Sequence, residues 1–375
     1  MSFGGELFKG YSTDTSTEPF SAGTNLAWSV YNGERSKDKM PVSIWILKKA
    51  NLDKAPAVAE EIAQILKQEP QNLLKLRHPS FLSILEPVYE DAKQVAFVTE
   101  RVESTLHLSV KDSSKASLED ELDLKINCKE ILVGLKFLNE TLRSVHLNVC
   151  PEVIAILPNG KWKLSGLTFL AILKDDPSHK GPSSQRLEPM LKVHPNYTYC
   201  SPSHFLGFTF NCDVFSFLIV LYQLMCVRSS KHCILPETVG SQTEAQSHIS
   251  HIVGGKKRGI IDALPSELRQ LADQILRSDQ NKSLLSELMA NEWFDDPRTR
   301  ILNLIPVFLT KTEQEQKDLV SCLGILLPKF PKKLIAGRII PFLKEQANNP
   351  AVSVYVLSAF IYIIERQLTD VNDAR

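Results

Sequence analysis

The stretch Ser144-Val145-His146-Leu147-Asn148-Val149-Cys150-Pro151-Glu152-Val153-Ile154 decides how the rest of the chain is interpreted. It follows an apolar run with helical spacing, Leu118 to Glu140, which predicts a long core helix. After it come Ile154 to Leu157 and Lys161 to Leu164, separated by Pro158-Asn159-Gly160, whose residue types predict a tight turn. The stretch is therefore predicted to be a loop between a core helix and a short hairpin.

Composition places the chain among soluble globular proteins. The 375 residues are 43% hydrophobic and 23% charged, which is ordinary for a protein of two or three domains. Lysine and arginine together number 43, as do aspartate and glutamate, so the net charge of zero gives no bulk attraction to nucleic acid. The seven dispersed cysteines include no C-x-x-C pair, which argues against a zinc site or a disulfide framework and predicts free thiols.

Two features predict a cytoplasmic protein without an integral membrane segment. The N-terminus lacks the basic start and apolar core of a signal peptide. The longest apolar run, Ala351 to Ile364, is too short to cross a bilayer. Any contact with a membrane is therefore expected to be peripheral.

The N-terminal part carries strand patterns. Residues 1–19 are polar and are interpreted as a flexible lead. Leu26 to Tyr31 and Pro41 to Leu47 have the composition of strands, and Asn32-Gly33 is predicted to form the hairpin turn between them. Further predictions are strands at Phe81 to Pro87 and Val95 to Glu100, and a helix over residues 56–77 that is interrupted by Pro70.

The C-terminal part changes character near Asp296-Pro297, where strand patterns stop. The later segments have helical spacing and are separated by prolines. The predicted helices run from Arg300 to Thr310, Glu315 to Leu327, Lys332 to Gln346 and Ala351 to Leu368. Paired helices of this length predict HEAT-type α-solenoid repeats. The last helix is apolar on nearly all sides, so we expect an open helical face that binds a protein partner or further chain.

The central loop resembles the catalytic loop of protein kinases, whose signature is H-R-D-L-x-x-x-N. His146 is retained, but Asn148 stands at the position of the catalytic aspartate and Val153 at that of the metal-holding asparagine. Ser165-Gly166-Leu167-Thr168 occupies the place of I-D-F-G, so Gly166 replaces the magnesium-binding aspartate. The resemblance implies a kinase fold without a catalytic base and without either metal ligand.

The phosphate-binding positions of the kinase pattern have changed as well. Val42-Ser43-Ile44-Trp45 stands where V-A-I-K is expected, so Trp45 replaces the lysine that holds the α- and β-phosphates. Lys48 is not a substitute, because strand side chains alternate and Lys48 points to the opposite face. The turn from Phe20 to Asn25, at the place of the glycine-rich loop, retains only Gly23 and is interpreted as an ordinary turn.

Further positions follow the order of a kinase domain. Glu69 lies near the place of the helix glutamate that pairs with the missing lysine, and is interpreted as a solvated carboxylate. Asp213 matches the aspartate that braces the catalytic-loop backbone. Glu100 to Glu103 corresponds to the segment between the two lobes, and Leu173 to Val193 corresponds to the activation segment.

The whole pattern is similar to that of the Scy-like pseudokinases, in which HEAT repeats follow a degenerate kinase domain. The pieces that match best are Asn25 to Trp28, Tyr31 to Gly33, Val42 to Trp45, Leu76 to Pro79, Trp162 to Leu164 with Gly166, and Pro328 to Lys332. The implied fold class is α+β, with a bilobal kinase-like domain followed by an α-helical HEAT-type segment. The implied divisions are a flexible lead at residues 1–19, a kinase-like domain at 20–296 and HEAT-like helices at 297–375.

The pieces Leu26-Ala27-Trp28 and Leu327 to Lys332 look most like the coated-vesicle-associated branch of that family. This branch implies a catalytically inactive scaffold or adaptor in clathrin-coated vesicle traffic, peripheral to Golgi, endosomal or coated-vesicle membranes. Its implied partners are clathrin adaptor or coat proteins, and it implies no catalytic residue, cofactor or metal site.

Two alternatives remain open. One is a residual or unconventional ATP-binding protein kinase, which ATP with magnesium would stabilise. The other is a tRNA nuclear export adaptor, a role that resemblance to another branch of the family implies. That role requires a continuous basic stripe across residues 297–375, where acidic residues partly balance the basic ones.

Overall fold

The computed structural model describes residues 10–14, 16–111, 120–173, 193–277 and 283–366. Its N-terminal part is a curled antiparallel sheet. The strands are β1 (Tyr11–Thr13), β2 (Phe20–Ala22), β3 (Trp28–Arg35), β4 (Pro41–Lys48), β5 (Tyr89–Glu90) and β6 (Gln94–Glu100). Their order is β1-β3-β4-β6-β5, and β2 also pairs with β3.

Strand β4 lies in the middle of the sheet and is apolar on both faces. Because side chains alternate along a strand, Trp45 and Leu47 enter one apolar cluster, while Ile44 and Ile46 enter another cluster on the opposite face. Lys48 continues the second series and is exposed, so it does not share the face of Trp45, as predicted.

Three predictions for this sheet are wrong. Asn32-Gly33 lies inside β3, because Gly33 lets β1 approach: a Cβ there would lie 2.6 Å from the Ser12 carbonyl oxygen. The predicted flexible lead, residues 1–19, is wrong at Tyr11–Thr13, which form a strand that pairs with the end of β3. Residues 1–9 and 15 of this lead lie outside the described residues. Phe81 to Pro87 is not a strand and meets other strands only at two isolated bridges.

The helix predicted over residues 56–77 is two helices, α1 (Pro56–Leu66) and α2 (Gln68–Lys75). The break falls at Lys67 and not at Pro70. Pro70 lies in the first turn of α2, where backbone N–H groups have no partner within the helix, so the missing N–H costs little. This arrangement turns Glu69 toward the protein interior.

The chain then enters a mainly helical lobe. Its elements are β7 (Ser104–Thr105), α3 (Leu106–Lys111), α4 (Glu121–Lys136), β8 (Ser144–Val145), β9 (Ile154–Ile156), β10 (Trp162–Leu164), β11 (Ala171–Ile172), α5 (Ser203–Leu206), α6 (Asn211–Arg228), α7 (Gln242–Val253), α8 (Lys257–Ala263), α9 (Ser266–Arg277) and α10 (Leu285–Met289). The predicted core helix and hairpin are confirmed as α4 and β9–β10. Most of the predicted activation segment lies outside the described residues.

Helix α6 forms the centre of this lobe. It is the one helix in the described part of the chain that is long and apolar enough to cross a membrane, but 83% of it is buried inside the protein. Its side chains pack into the largest apolar cluster, together with those of α4 and α9. Helix α6 is therefore buried as the core helix of a folded lobe is. The seven cysteines are free thiols, as predicted.

The part of the chain from 297 to 366 follows as α11 (Pro297–Leu304), α12 (Glu313–Leu326), α13 (Lys332–Leu334), α14 (Ile340–Gln346) and α15 (Ser353–Glu365). These helices share α4 with the lobe before them. Leu122 and Ile126 of α4 enter the C-terminal apolar cluster, whereas Leu124 and Cys128 enter that of the helical lobe. The predicted α+β class is confirmed, and the HEAT type of the last helices stays a prediction.

Helix α15 leaves an apolar stripe in solvent, as predicted. Val354, Leu357, Ile361 and Ile364 follow one another at helical spacing and are all exposed. The opposite side of the helix, which carries Val356, Ala359 and Ile363, packs into the C-terminal cluster.

Candidate functional site

A buried carboxylate from α6 holds the loop between β8 and β9. Asp213 Oδ2 accepts the His146 N–H at 2.7 Å, and its Oδ1 accepts the Leu147 N–H at 2.9 Å. Leu147 has a φ of +62°, which a leucine adopts only where its surroundings hold it. Burial raises the pKa of Asp213, although the nearby His146 and these hydrogen bonds oppose the rise. The predicted bracing role of Asp213 is confirmed.

Asn148, at the position of the catalytic aspartate, is buried and uses both ends of its amide. Its Nδ2 donates to Thr24 Oγ1 at 3.3 Å, and its Oδ1 accepts the Asn196 N–H at 2.8 Å. An amide does not take up a proton near neutral pH, so it cannot act as a general base. Asn148 instead ties the loop after β2 to the chain before α5.

Val153 and Gly166, at the two metal-ligand positions, lie against each other. Gly166 has a φ of +69°, and a Cβ built on it would lie 2.1 Å from Val153 Cγ1. The valine side chain therefore fills the space that a carboxylate at position 166 would need. Magnesium requires oxygen ligands, and neither side chain has one.

Trp45 lies in an apolar cluster that includes residues of the sheet and of the helical lobe. Its indole Nε1–H donates to Thr99 Oγ1 at 3.0 Å, and its ring stacks on Phe97 with centroids 5.3 Å apart. The same apolar cluster contains Ala155 and Leu157 from the far side of the crevice. Trp45 is fully buried, so the indole is part of a core that joins the two lobes.

The sequence did not predict that Ser43 would bond to Val102 and close the crevice beside the segment between the lobes, Glu100 to Glu103. Ser43 Oγ accepts the Val102 N–H at 2.9 Å and lies 3.3 Å from the Val102 carbonyl oxygen, to which it donates. Both residues are fully buried. A nucleobase placed here would need free backbone donors and acceptors, and Ser43 already uses those of Val102. The signal in the sequence was a serine at the second position of the V-A-I-K match.

The interpretation of Glu69 as a solvated carboxylate is wrong. Glu69 is fully buried; its Oε1 accepts the Gly166 N–H at 2.9 Å and its Oε2 accepts the Trp28 Nε1–H at 3.1 Å. The Thr24 N–H points to the same oxygen at 3.4 Å. Burial raises the pKa of Glu69 to about 7, and the hydrogen bonds from Gly166, Thr24 and Trp28 oppose the rise. N–H groups from distant segments thus surround this carboxylate, and among the described residues no lysine pairs with it.

The turn at the glycine-rich-loop position is fastened to the helical lobe. Gly23 has a φ of +72°, and its N–H donates to the Glu152 carbonyl oxygen at 3.0 Å. Thr24 Oγ1 shares a hydrogen bond with Thr168 Oγ1 at 2.8 Å. The loop therefore lies directly on the segments that carry Val153 and Gly166.

Comparison with known proteins agrees with this architecture. The model of the protein kinase domain family matches residues 28–294. The chain therefore belongs to the protein kinase domain family. It is 25% identical over 363 residues to SCY1-like protein 2 of Mus musculus, covering 92% of this chain and 39% of that protein. It is 26% identical over 354 residues to the protein kinase-like protein SCY1 of Saccharomyces cerevisiae, covering 85% of this chain and 43% of that protein.

The predicted Scy-like membership is thereby confirmed. A third relative, the protein-associating with the carboxyl-terminal domain of ezrin of Mus musculus, is 24% identical over 319 residues, covering 83% of this chain and 36% of that protein. The chain spans about two fifths of the length of these relatives.

The kinase fold implies a magnesium nucleotide, and this crevice does not fit one. Kinases hold the phosphates through a strand lysine and two metal ions, which an aspartate and an asparagine ligate. The corresponding residues here are Trp45, Gly166 and Val153, and the last two fill their own site. Within the described ranges, no group of three or more His, Cys, Asp or Glu side chains is placed to hold a metal ion.

Proposed function

We propose that this protein is a catalytically inactive scaffold built on the kinase fold. The observation that carries the proposal is the contact between Val153 and Gly166, which occupies the place of both metal ligands. Phosphoryl transfer depends on positioning and on charge stabilisation by metal and lysine. With an indole at position 45 and an amide at position 148, the crevice offers none of these groups.

The filled crevice supports a structural role for the domain. Trp45, Ala155 and Val102 belong to one buried cluster that spans the two lobes. Glu69 and Gly23 add hydrogen bonds between the sheet side and the helical lobe. Such cross-links favour a single relative orientation of the lobes, which suits a body that presents surfaces to partners.

For the cellular role, we infer an adaptor in clathrin-coated vesicle traffic at the surface of Golgi or endosomal membranes. The support is the resemblance to the coated-vesicle-associated branch, together with the exposed apolar stripe of α15, which favours a protein partner. Clathrin adaptor or coat proteins are the proposed partners.

Thermal unfolding with nucleotide tests the loss of catalysis. A ligand at about 100 times its dissociation constant stabilises a protein by about 2.7 kcal/mol. We expect millimolar ATP to leave the melting temperature unchanged, with or without magnesium, while an active protein kinase measured in parallel shows a rise. A rise that requires magnesium would refute the proposal and favour a residual kinase.

Cosedimentation tests the cellular role separately. The purified chain is mixed with assembled clathrin coats, with and without purified adaptor complexes, and centrifuged. We expect the chain in the pellet only when coats are present. If the chain stays in the supernatant with coats alone and with coats plus adaptor complexes, the proposed vesicle role is wrong. The proposal of an inactive scaffold is tested separately, by the nucleotide experiment.

A further inference from the structure

An apolar groove lies on the C-terminal helices, away from the crevice between the lobes. It runs between α11 and α12, and its volume is about 550 Å³. Ile301 and Leu304 of α11 line one wall, and Leu319 and Ile325 of α12 line the other. Ile325 is 74% exposed, the highest value among the large apolar side chains of the described residues. Binding clefts for specific ligands commonly have about 300–1,000 Å³, so the groove is large enough to receive several side chains.

The shape of the groove suits a helix. The lining residues of α12 extend from Glu315 to Leu326 at spacings of three and four, which places them along one face. That face is about 17 Å long at 1.5 Å per residue, or about three helical turns. Amphipathic helices bind to grooves of this kind through apolar residues one turn apart.

The charges around the groove are unequal. Arg300 already has an acidic partner in Asp295, through Nε and Oδ1 at 2.6 Å and through a second ion-pair contact. Glu315 Oε2 accepts hydrogen bonds from the Thr312 N–H and Oγ1–H, both at 2.8 Å. These hydrogen bonds, and to a smaller extent the nearby Lys311, lower the pKa of the Glu315 carboxyl group. Asp318 accepts a hydrogen bond from the Gln314 amide at 2.9 Å, and within the described ranges no cation pairs with it. The groove therefore offers one acidic group that a basic side chain could match.

We propose that this groove binds a short amphipathic helix of a partner protein, with an apolar stripe and an arginine or lysine in the turn that meets Asp318. The inference rests on the scaffold function proposed above and names the class of its partner. The last residues of the chain itself, 367–375, are a poor match, because they contain Asp370 and Asp373 against one arginine and offer few apolar side chains.

The test uses the full chain and two fluorescent synthetic helices. Both peptides carry leucines one turn apart on one face; one ends in an arginine turn, and its control has glutamate in place of arginine. Fluorescence anisotropy at low salt should show tighter binding of the arginine peptide, by about two- to fivefold, as expected for an exposed ion pair. Asp318→Lys should reverse this preference, and Ile325→Asp should weaken both peptides at least about tenfold.

Controls separate this groove from other surfaces. Ile172→Asp, at an exposed position of β11, should leave binding unchanged, whereas Leu357→Asp tests whether the peptides bind to the stripe of α15 instead. Equal binding of the two peptides, or loss of binding in Leu357→Asp but not in Ile325→Asp, overturns the proposal. So does competition by a peptide of residues 367–375, or self-association that Ile325→Asp abolishes. Nucleotide binding is measured in the separate thermal unfolding experiment. A negative result with the peptides therefore does not test the proposal that the crevice is inactive.

Discussion

Replacing Gly166 with alanine should destabilise the protein by about 2–5 kcal/mol. The φ of +69° costs an L-amino acid about 1–2 kcal/mol. The new Cβ would lie 2.1 Å from Val153 Cγ1 and 2.5 Å from Val153 Cβ. Forcing a methyl group into a packed core costs about 1–3 kcal/mol in addition. An aspartate, which would restore a metal ligand, should cost more because its carboxylate would be buried without a partner.

Urea unfolding followed by tryptophan fluorescence measures this change, provided that the slope of the transition is unaltered. Gly255→Ala is the matched control, since nothing lies within 4 Å of its added Cβ, and should change stability by less than about 0.5 kcal/mol. In a Val153→Gly background the steric cost disappears, so Gly166→Ala should cost only about 1–2 kcal/mol there. Equal costs in both backgrounds, or a cost no larger than that of Gly255→Ala, would refute the reasoning.

Three further predictions concern other contacts of the crevice and the C-terminal helices. Trp45→Lys should lower the melting temperature, with a loss of at least about 3–5 kcal/mol, without producing stabilisation by ATP and magnesium, because the rest of the crevice stays filled. Burial raises the pKa of Glu69 from 4.5 to about 7, so the folded state binds more protons than the unfolded state between these values. The free energy of unfolding should therefore fall as pH rises from about 4.5 to about 7, and Glu69→Gln should flatten that dependence in urea titrations. Gly337, in the C-terminal helices, lies against Asn159 in the turn between β9 and β10, and an added Cβ would lie 2.9 Å from the Asn159 carbonyl oxygen. Gly337→Ala should therefore loosen the C-terminal helices from the helical lobe and speed limited proteolysis near Asp296-Pro297. Gly324→Ala, with open space around its Cβ, should not.

Changes in residue type at fixed spacing were readable from the sequence. Asn148 and Val153 lie at constant distances along the chain from His146, so the sequence alone shows that these positions carry neither the aspartate nor the asparagine of the kinase pattern. Trp45 was equally readable, because Val42-Ser43-Ile44 fixes its place in the V-A-I-K match, where the lysine is expected. The positions of α4 and of the β9–β10 hairpin followed from apolar periodicity and from one turn of suitable composition.

The errors arose where distant segments decide the environment of a residue. Glu69 is buried because Thr24, Trp28 and Gly166 bring N–H groups to it, and no local pattern around position 69 announces those donors. Ser43 is similar, since its partner Val102 lies 59 residues away. Asn32-Gly33 matches a turn signal, but Gly33 is required by the close approach of β1, a strand that the sequence does not predict.

The substitutions in the crevice compensate one another, which is the strongest argument that it has become a core. A carboxylate that lost its lysine would cost several kcal/mol if left buried without partners. Glu69 instead accepts the N–H of Gly166, which has a left-handed backbone conformation. The cavity that a missing metal and carboxylate would leave is filled by Val153. Each replacement thus provides a hydrogen bond for a group, or fills a space, that another replacement would leave open. Restoring any single kinase residue should therefore break a contact within the folded protein without creating a complete nucleotide site.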